Sequence, residues 1–364
     1  MTAKPQNWRG FIAGTTALAA IYVYFLLFAQ FAFLALARTI APGATAMRSL
    51  MAVQALAGVT GSIIAARVFA SVRARWLLAG GLLVCGLGAL AALAAESNAA
   101  LGITAALVGA GLGFSTVTLI GGLRGLVGGR RLGLAAGLGT GVAYAFCNLP
   151  GVFTAPAGRQ AGIALLVLLG GLIATAGFPA VGDEPPPAGP DYEPRGLVAW
   201  IAVFLVLVWL DSATFFIIQN TPTLKEAAWS GAGRLVFGAT VHLLAALLAG
   251  VAFDRGKLGP MVAGSFVLLA TACLLLGRAG TVQPIYVAGV SVYSAALVFY
   301  PARGARPWVP ALVYAISGWG GSALGIGMAQ ELSAVPAWSL AAAGVIVIGA
   351  LTLRRRGRAK RIRT

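Results

Sequence analysis

Two side chains stand apart from everything else in the chain as candidates for chemistry. Asp211 lies in the middle of the apolar run at 200–220, WIAVFLVLVWLDSATFFIIQN, and His242, the single histidine, lies in the next apolar run. A carboxylate at the centre of a bilayer-length helix costs about 2.5–3.5 kcal/mol on insertion scales. A chain keeps such a group either to use it or to fix packing through a buried hydrogen bond. At ~1.5 Å rise per residue, Asp211 sits roughly 20 Å into its run, and His242 roughly 16 Å from the far end of the following one. Consecutive antiparallel helices bring those depths level. An acid beside an imidazole away from water is a proton relay in chemical terms.

Other polar residues inside apolar runs are candidates to line a solute path: Tyr22, Tyr24 and Gln30 in the first run, Gln54 in the second and Asn148 in the fifth. Asn148-Leu149-Pro150 marks either a broken helix end with freed carbonyls or an ordinary stop. Trp319, flanked by Gly318, Gly320 and Gly321, either stacks on a ligand or fills the gap those glycines leave. Arg234, with Lys225 and Glu226 before it, reads as an external funnel for an anion or as an arginine reaching back to lipid headgroups.

Several chemistries are excluded. Cys85, Cys147 and Cys273 lie singly in apolar runs without CxxC spacing, so neither a metal site nor a disulfide framework is expected. Glycine runs at 109–113, 137–141 and 318–327 lack a preceding strand and a GK[ST] sequence, which removes a phosphate loop. No cofactor is expected. A membrane hydrolase would have to rely on Asp211 and His242 alone, with no serine placed to help.

The elements that must hold these residues follow from composition. Of 364 residues, 59% are hydrophobic and 10% are charged, with a mean hydropathy of +0.91. That is a polytopic, all-α membrane protein. Runs of about 20 apolar residues are needed to span a bilayer as helix, and twelve are present; the fifth reads 133–152 and the twelfth 333–353. The proline-rich, acidic stretch VGDEPPPAGPDYEPRG at 181–196 is a solvated linker. It divides the chain into a six-helix half at 1–180 and a second at 197–353, with a basic tail at 354–364.

The net charge of +17 would suggest a nucleic-acid partner in a soluble protein. Here seven basic residues lie in the tail and most others in alternate loops. That is the positive-inside pattern of membrane topology, so no nucleic acid is expected. It places both termini in the cytoplasm of a bacterial-type inner membrane, with anionic lipid headgroups as partners of the basic loops and tail.

One local motif adds to this. The turn between the eighth and ninth runs reads Gly250-Val-Ala-Phe-Asp254-Arg255-Gly256-Lys257. It is similar to the G-x-x-x-D-R-x-G-R-K loop of the major facilitator superfamily, one residue tighter before the last glycine–basic pair. The corresponding first-half stretch at 61–75 keeps its basic residues but has no Asp. With two six-helix halves and a central linker, the whole chain resembles that superfamily. Exporters of the superfamily carry a Gly-Pro signature in span five, whereas Pro150 here follows Leu149.

In residue terms, Gly250 permits close helix approach, Asp254 is placed to cap the ninth helix, and Arg255 and Lys257 sit among headgroups. The resemblance implies that Gly250, Asp254, Arg255 and Lys257 form a gate. It further implies a monomeric, non-enzymatic secondary transporter of a small solute working by alternating access, with protons as the expected coupling partner and Asp211, His242, Gln30, Gln54, Asn148, Tyr24, Trp319 and Arg234 along the pathway. The alternatives are a lipid or lysolipid flippase of the same architecture and, in a different class, a membrane enzyme or assembly factor.

Overall fold

The structure is a computed structural model that describes residues 8–70, 73–178, 194–276, 279–304, 306–332 and 334–362. Every regular element among these residues is helical, as hydrocarbon demands of a chain that must satisfy its own backbone. In order they are α1 (Trp8–Ile40), α2 (Ala44–Val68), α3 (Ala74–Leu93), α4 (Asn98–Val127), α5 (Leu132–Cys147) and α6 (Ala157–Gly177). There follow α7 (Pro194–Asn220), α8 (Ala232–Asp254), α9 (Leu258–Leu274), α10 (Ala279–Arg303), α11 (Trp308–Glu331) and α12 (Ala337–Ile362). Nine of them are long and apolar enough to cross a membrane, and α5, α9 and the 337–353 part of α12 are shorter apolar helices. Leu56 and Leu166, at 70% and 71% exposed, typify the outward faces. An apolar surface of that extent suits lipid.

Three boundaries differ from the sequence expectation. The fifth helix stops at Cys147, not at 152, because the Asn148 side-chain amide donates to its own Tyr144 carbonyl at 2.9 Å and Pro150 starts a separate short helix, Pro150–Phe153. The last helix continues through the basic stretch to Ile362 instead of ending at 353. The expected linker at 181–196 lies outside the described residues, except for Pro194, Arg195 and Gly196, which open α7. Two segments were not foreseen: α1 is π-helical over Tyr24–Ala32 and α11 over Val313–Gly320. A π stretch re-aims the side chains that follow it and is frequent at functional sites.

Helices α1–α6 pack with one another, as do α7–α12, and the two groups meet along α5–α8, α4–α10, α5–α10 and α2–α11. The second group is anchored by Trp200, Phe204 and Tyr300, with the Trp200 and Tyr300 ring centroids 5.0 Å apart. The α5–α8 seam is backbone against backbone. A Cβ on Gly250 would stand 2.2 Å from the Gly133 carbonyl oxygen, and one on Gly137 would stand 2.3 Å from that of Ala246. Small residues at helical spacing are what permit such an approach in a membrane.

At the end of that seam Asp254 accepts from the backbone N–H groups of Gly133 at 2.7 Å and Leu134 at 2.9 Å. It therefore caps α5 in the other group, not the ninth helix as its place in the sequence suggests; α9 has no side-chain cap. The reason is the tight α8–α9 turn. Asp254 is the last residue of α8, and Gly256 takes φ +79°, a left-handed angle that glycine accepts without strain. The chain reverses there, and the carboxylate projects sideways onto the positive N-terminus of its neighbour. Arg255 and Lys257 are exposed. Beside this contact the Arg124 guanidinium donates to the Arg303 carbonyl at 2.6 Å, tying α4 to α10 at the same end of the bundle. This end, with Arg124, Arg131, Asp254 and Arg303, is called the basic end below.

The seam generates two expectations. Gly250→Val forces apart backbones that touch, and a clash of this kind typically costs about 1–3 kcal/mol; thermal unfolding in detergent should show a midpoint several degrees below wild type, and an unchanged midpoint would contradict the close approach. Asp254→Ala removes an exposed charge from a helix N-terminus, a loss of about 1 kcal/mol, or roughly a fivefold change in the ratio of closed to open seam. Spin labels at Arg130→Cys and Lys257→Cys can read this, since all three native cysteines are buried. The distance distribution should move towards longer values in the Asp254→Ala protein and not in the parent.

Candidate functional site

The polar centre of the bundle is assembled on α10. Tyr286 and Tyr293 are seven residues apart, two helical turns, and so share one face. That face is turned to α7. The Tyr286 hydroxyl donates to Asp211 Oδ1 at 2.5 Å, and the Tyr293 hydroxyl donates to Asp211 Oδ2. Both carboxylate oxygens are thereby held by neutral phenols. Asp211 itself is half-buried, whereas Leu210 and Ala213 beside it on α7 are fully buried. One turn further along α7, Thr214 Oγ1 and Cys273 Sγ of α9 are 3.0 Å apart.

His242 joins the same helix from the other side. Its Nδ1 lies 2.7 Å from Ser291 Oγ. Ser291 gives its one hydrogen to the Val287 carbonyl at 2.9 Å, so its oxygen is left to accept from Nδ1–H. The imidazole stacks on Tyr144 of α5 with centroids 4.6 Å apart and planes at 17°. The Tyr144 and Ser294 hydroxyls are 3.0 Å apart, and the Tyr22 hydroxyl of α1 donates to the Ser294 carbonyl at 3.5 Å. Tyr314, within the π segment of α11, lies beside Tyr22. Asp211 and His242 thus share no hydrogen bond. Each is bonded to α10, and Tyr144, which stacks on the histidine, is an electrostatic neighbour of the carboxylate.

The other residues singled out in the sequence fall in different places. Tyr24 is fully buried and turns away from the centre, donating to the Cys85 carbonyl of α3 at 2.7 Å. It stands only two residues from Tyr22, which puts the two on opposite faces of the helix, and it is Tyr22 that reaches the centre. Gln30 is half-buried in the π segment of α1. Gln54 is buried at the α2–α4 seam, its backbone carbonyl 2.0 Å from where a Cβ on Gly109 would stand. Asn148 closes its own helix.

Trp319 fills a notch in the other group instead of the gap between its own glycines: a Cβ on Gly58 of α2 would lie 2.1 Å from its indole. Arg234 is exposed, and its guanidinium donates to the Ala227 carbonyl. This clamps the last turn of the short helix Pro222–Trp229 and points the charge away from the centre.

Aromatic side chains close the end of the bundle opposite the basic end. Phe31 of α1 meets Phe215 of α7 edge-on at 5.5 Å, Phe153 lies 6.1 Å from Phe31, and Trp229 lies 5.8 Å from Phe215. Phe215 is one turn from Asp211 on the same helix. Arg48 of α2 and Glu331 of α11 make an exposed ion pair at 3.5 Å on that side. The centre is therefore held between an aromatic closure on one side and the Asp254 contact on the other.

Sequence reasoning named the acid and the imidazole but not the residues that hold them. The signal for Tyr286 and Tyr293 was present as their seven-residue spacing, with Ser291 and Ser294 close by on the same run. For Tyr144, on a glycine-rich helix, no local pattern marks the side chain as central.

No protein-family model matches the chain, and no curated protein matches it by sequence. Among solved structures, the human organic anion transporter MFSD10 (TETRAN) superposes with a TM-score of 0.60 at 14% identity, covering 97% of this chain and 99% of that chain. A likeness at this identity is one of fold, and it extends through both helix groups. With its two packed groups of helices, the chain has the fold of that transporter.

Proposed function

We propose that the protein is a proton-coupled secondary transporter of a small solute, in which Asp211 carries the coupling proton and the two helix groups move about it by alternating access. The observation that carries this is the placement of Asp211. It is a half-buried carboxylate bonded by Tyr286 and Tyr293 of its own group, with Tyr144 of the other group as an electrostatic neighbour and, among the described residues, no lysine or arginine bonded to it. Such a group can take and release a proton without breaking an ion pair, and intramembrane carboxylates mark proton and solute paths. Closures at both ends of the centre fit a state between two openings. His242 is the second station of this reading, reached through Tyr144 and α10.

The finer features belong to the same proposal. Twelve spans form two halves at 1–180 and 197–353, joined by a cytoplasmic linker at 181–196 and followed by a basic tail at 354–364. Both termini lie in the cytoplasm of a bacterial-type inner membrane, the working unit is a monomer, and no covalent chemistry is performed. Gly250, Asp254, Arg255 and Lys257 are the gate, with Asp254 on the α5 N-terminus as its contact. An anionic solute, the class named for the human transporter, would meet no buried lysine or arginine among the described residues.

The test is proton flux. Wild-type protein in liposomes loaded with a pH-reporting dye is challenged with a panel of solutes, and a solute that moves protons through wild type should move at least about tenfold fewer through Asp211→Asn. An unchanged size-exclusion profile shows that the variant is folded. Proton flux at the wild-type rate in Asp211→Asn would remove the coupling role.

A further inference from the structure

The centre also carries information about what it binds. Among the described residues no lysine or arginine is buried, and the half-buried ones, Arg75, Arg124, Arg131 and Arg303, lie at the basic end, whereas the half-buried Asp211 is bonded by Tyr286 and Tyr293. The two phenols on Asp211 are neutral donors. They orient the carboxylate and do not cancel its charge, and in a low-dielectric interior an uncancelled charge attracts an opposite one strongly. Five tyrosines from four helices gather here: Tyr22 of α1, Tyr144 of α5, Tyr286 and Tyr293 of α10 and Tyr314 of α11. Tyr22 and Tyr144 have centroids 6.3 Å apart. Aromatic faces carry negative potential and favour cations, most of all when water is excluded.

The hydroxyls argue against a polyol. Those of Tyr286 and Tyr293 are given to Asp211, that of Tyr144 meets Ser294, Ser291 serves His242 and Val287, and Tyr22 reaches the Ser294 carbonyl. A neutral sugar-like solute would have to break these bonds one by one, and an anion would face Asp211. Asp211 is half-buried, and Phe215, one turn along α7, meets Phe31, which adds apolar rings near the carboxylate.

Resting on the reading of Asp211 as a working site, we infer that the centre binds an organic cation, a protonated amine or a quaternary onium group with an apolar body, its charge against Asp211 and its body among the tyrosine and phenylalanine rings. The deciding experiment uses two ions of nearly the same shape and opposite charge. Radiolabelled tetraphenylphosphonium should bind saturably to the purified full-length protein in detergent. Unlabelled tetraphenylphosphonium should compete and tetraphenylborate should not.

Asp211→Asn should weaken binding at least about tenfold, whereas Asp211→Glu, which keeps the charge, should retain most of it; size-exclusion profile and unfolding midpoint confirm that both variants are folded. The inference is overturned if neither ion binds, if the borate competes as well as the phosphonium, or if a folded Asp211→Asn protein binds like wild type. The wild-type charge preference stands as a test even where a variant fails to fold. Binding in detergent needs no gradient. No cation binding to the wild-type protein, with proton flux that depends on Asp211, therefore refutes the cation site alone, and saturable cation binding with wild-type proton flux in Asp211→Asn refutes proton coupling alone.

Discussion

The arrangement depends on the cost of keeping one carboxylate in the middle of a membrane protein with no cation to pair it. Asp211 stays there because α10 supplies two phenolic hydroxyls in the geometry a carboxylate needs, one to each oxygen. That demand fixes the rotation of α10 about its axis. Once Tyr286 and Tyr293 face α7, Ser291 and Ser294 must face α8 and α5, and His242 and Tyr144 find their partners there. The helix that carries Tyr286, Ser291, Tyr293 and Ser294 is also the most deeply buried of the candidate spans. In an apolar bundle the polar helix sits at the centre, because only there can its hydroxyls be satisfied.

Architecture was legible in the sequence and contacts were not. Apolar run length locates helices because lipid penalises unsatisfied backbone uniformly, and one proline-rich stretch interrupts the apolar pattern midway. Asp211 and His242 were legible because a charge or an imidazole in such a run has few innocent explanations. Tyrosine has many, and Tyr22 and Tyr24 look alike until the helix phase assigns one to the centre and the other to α3. The reading of Asp254 as a local cap failed for a related reason. Sequence proximity favours the next helix, but a three-residue turn through Gly256 leaves the carboxylate facing a helix more than a hundred residues away. Trp319 is the same case: its own glycines suggest a local gap, and the gap it fills belongs to Gly58.

The seams between the groups differ in kind, and the difference follows from single residues. Along α5–α8 glycine brings backbones into contact, and the attraction is dispersion over a smooth surface, with one charge–dipole contact at its end. Along α2–α11 the contact runs through side chains: Trp319 against Gly58, Ala311 against Ala65 and Ala66, and Arg48 with Glu331. The first-half counterpart of the Asp254 motif has no acid, and correspondingly no side chain caps the N-terminal turn at Trp308 that opens α11. At the basic end, then, one seam is held by a carboxylate on a helix terminus and the other by apolar packing, with Arg124 on the Arg303 carbonyl between them.

This asymmetry bears on how such a molecule could move. Neither seam contains a buried ion pair among the described residues, so parting them exposes no charge that was hidden from water. Glycine surfaces separate without leaving knobs or cavities behind, and the Asp254 carboxylate lies at an exposed rim where water can replace the two N–H groups it gives up. The costly polar interactions are gathered at the centre, on α7, α8 and α10 of one group, with Tyr144 and Tyr22 as the reach of the other. The strong bonds of Asp211 therefore stay within one group and survive a rocking motion, while the bonds that cross, Tyr144 to Ser294 and Tyr22 to the Ser294 carbonyl, are single neutral contacts. On the proposed reading, a ligand or proton at Asp211 would change the charge that those crossing residues face and so bias the seam.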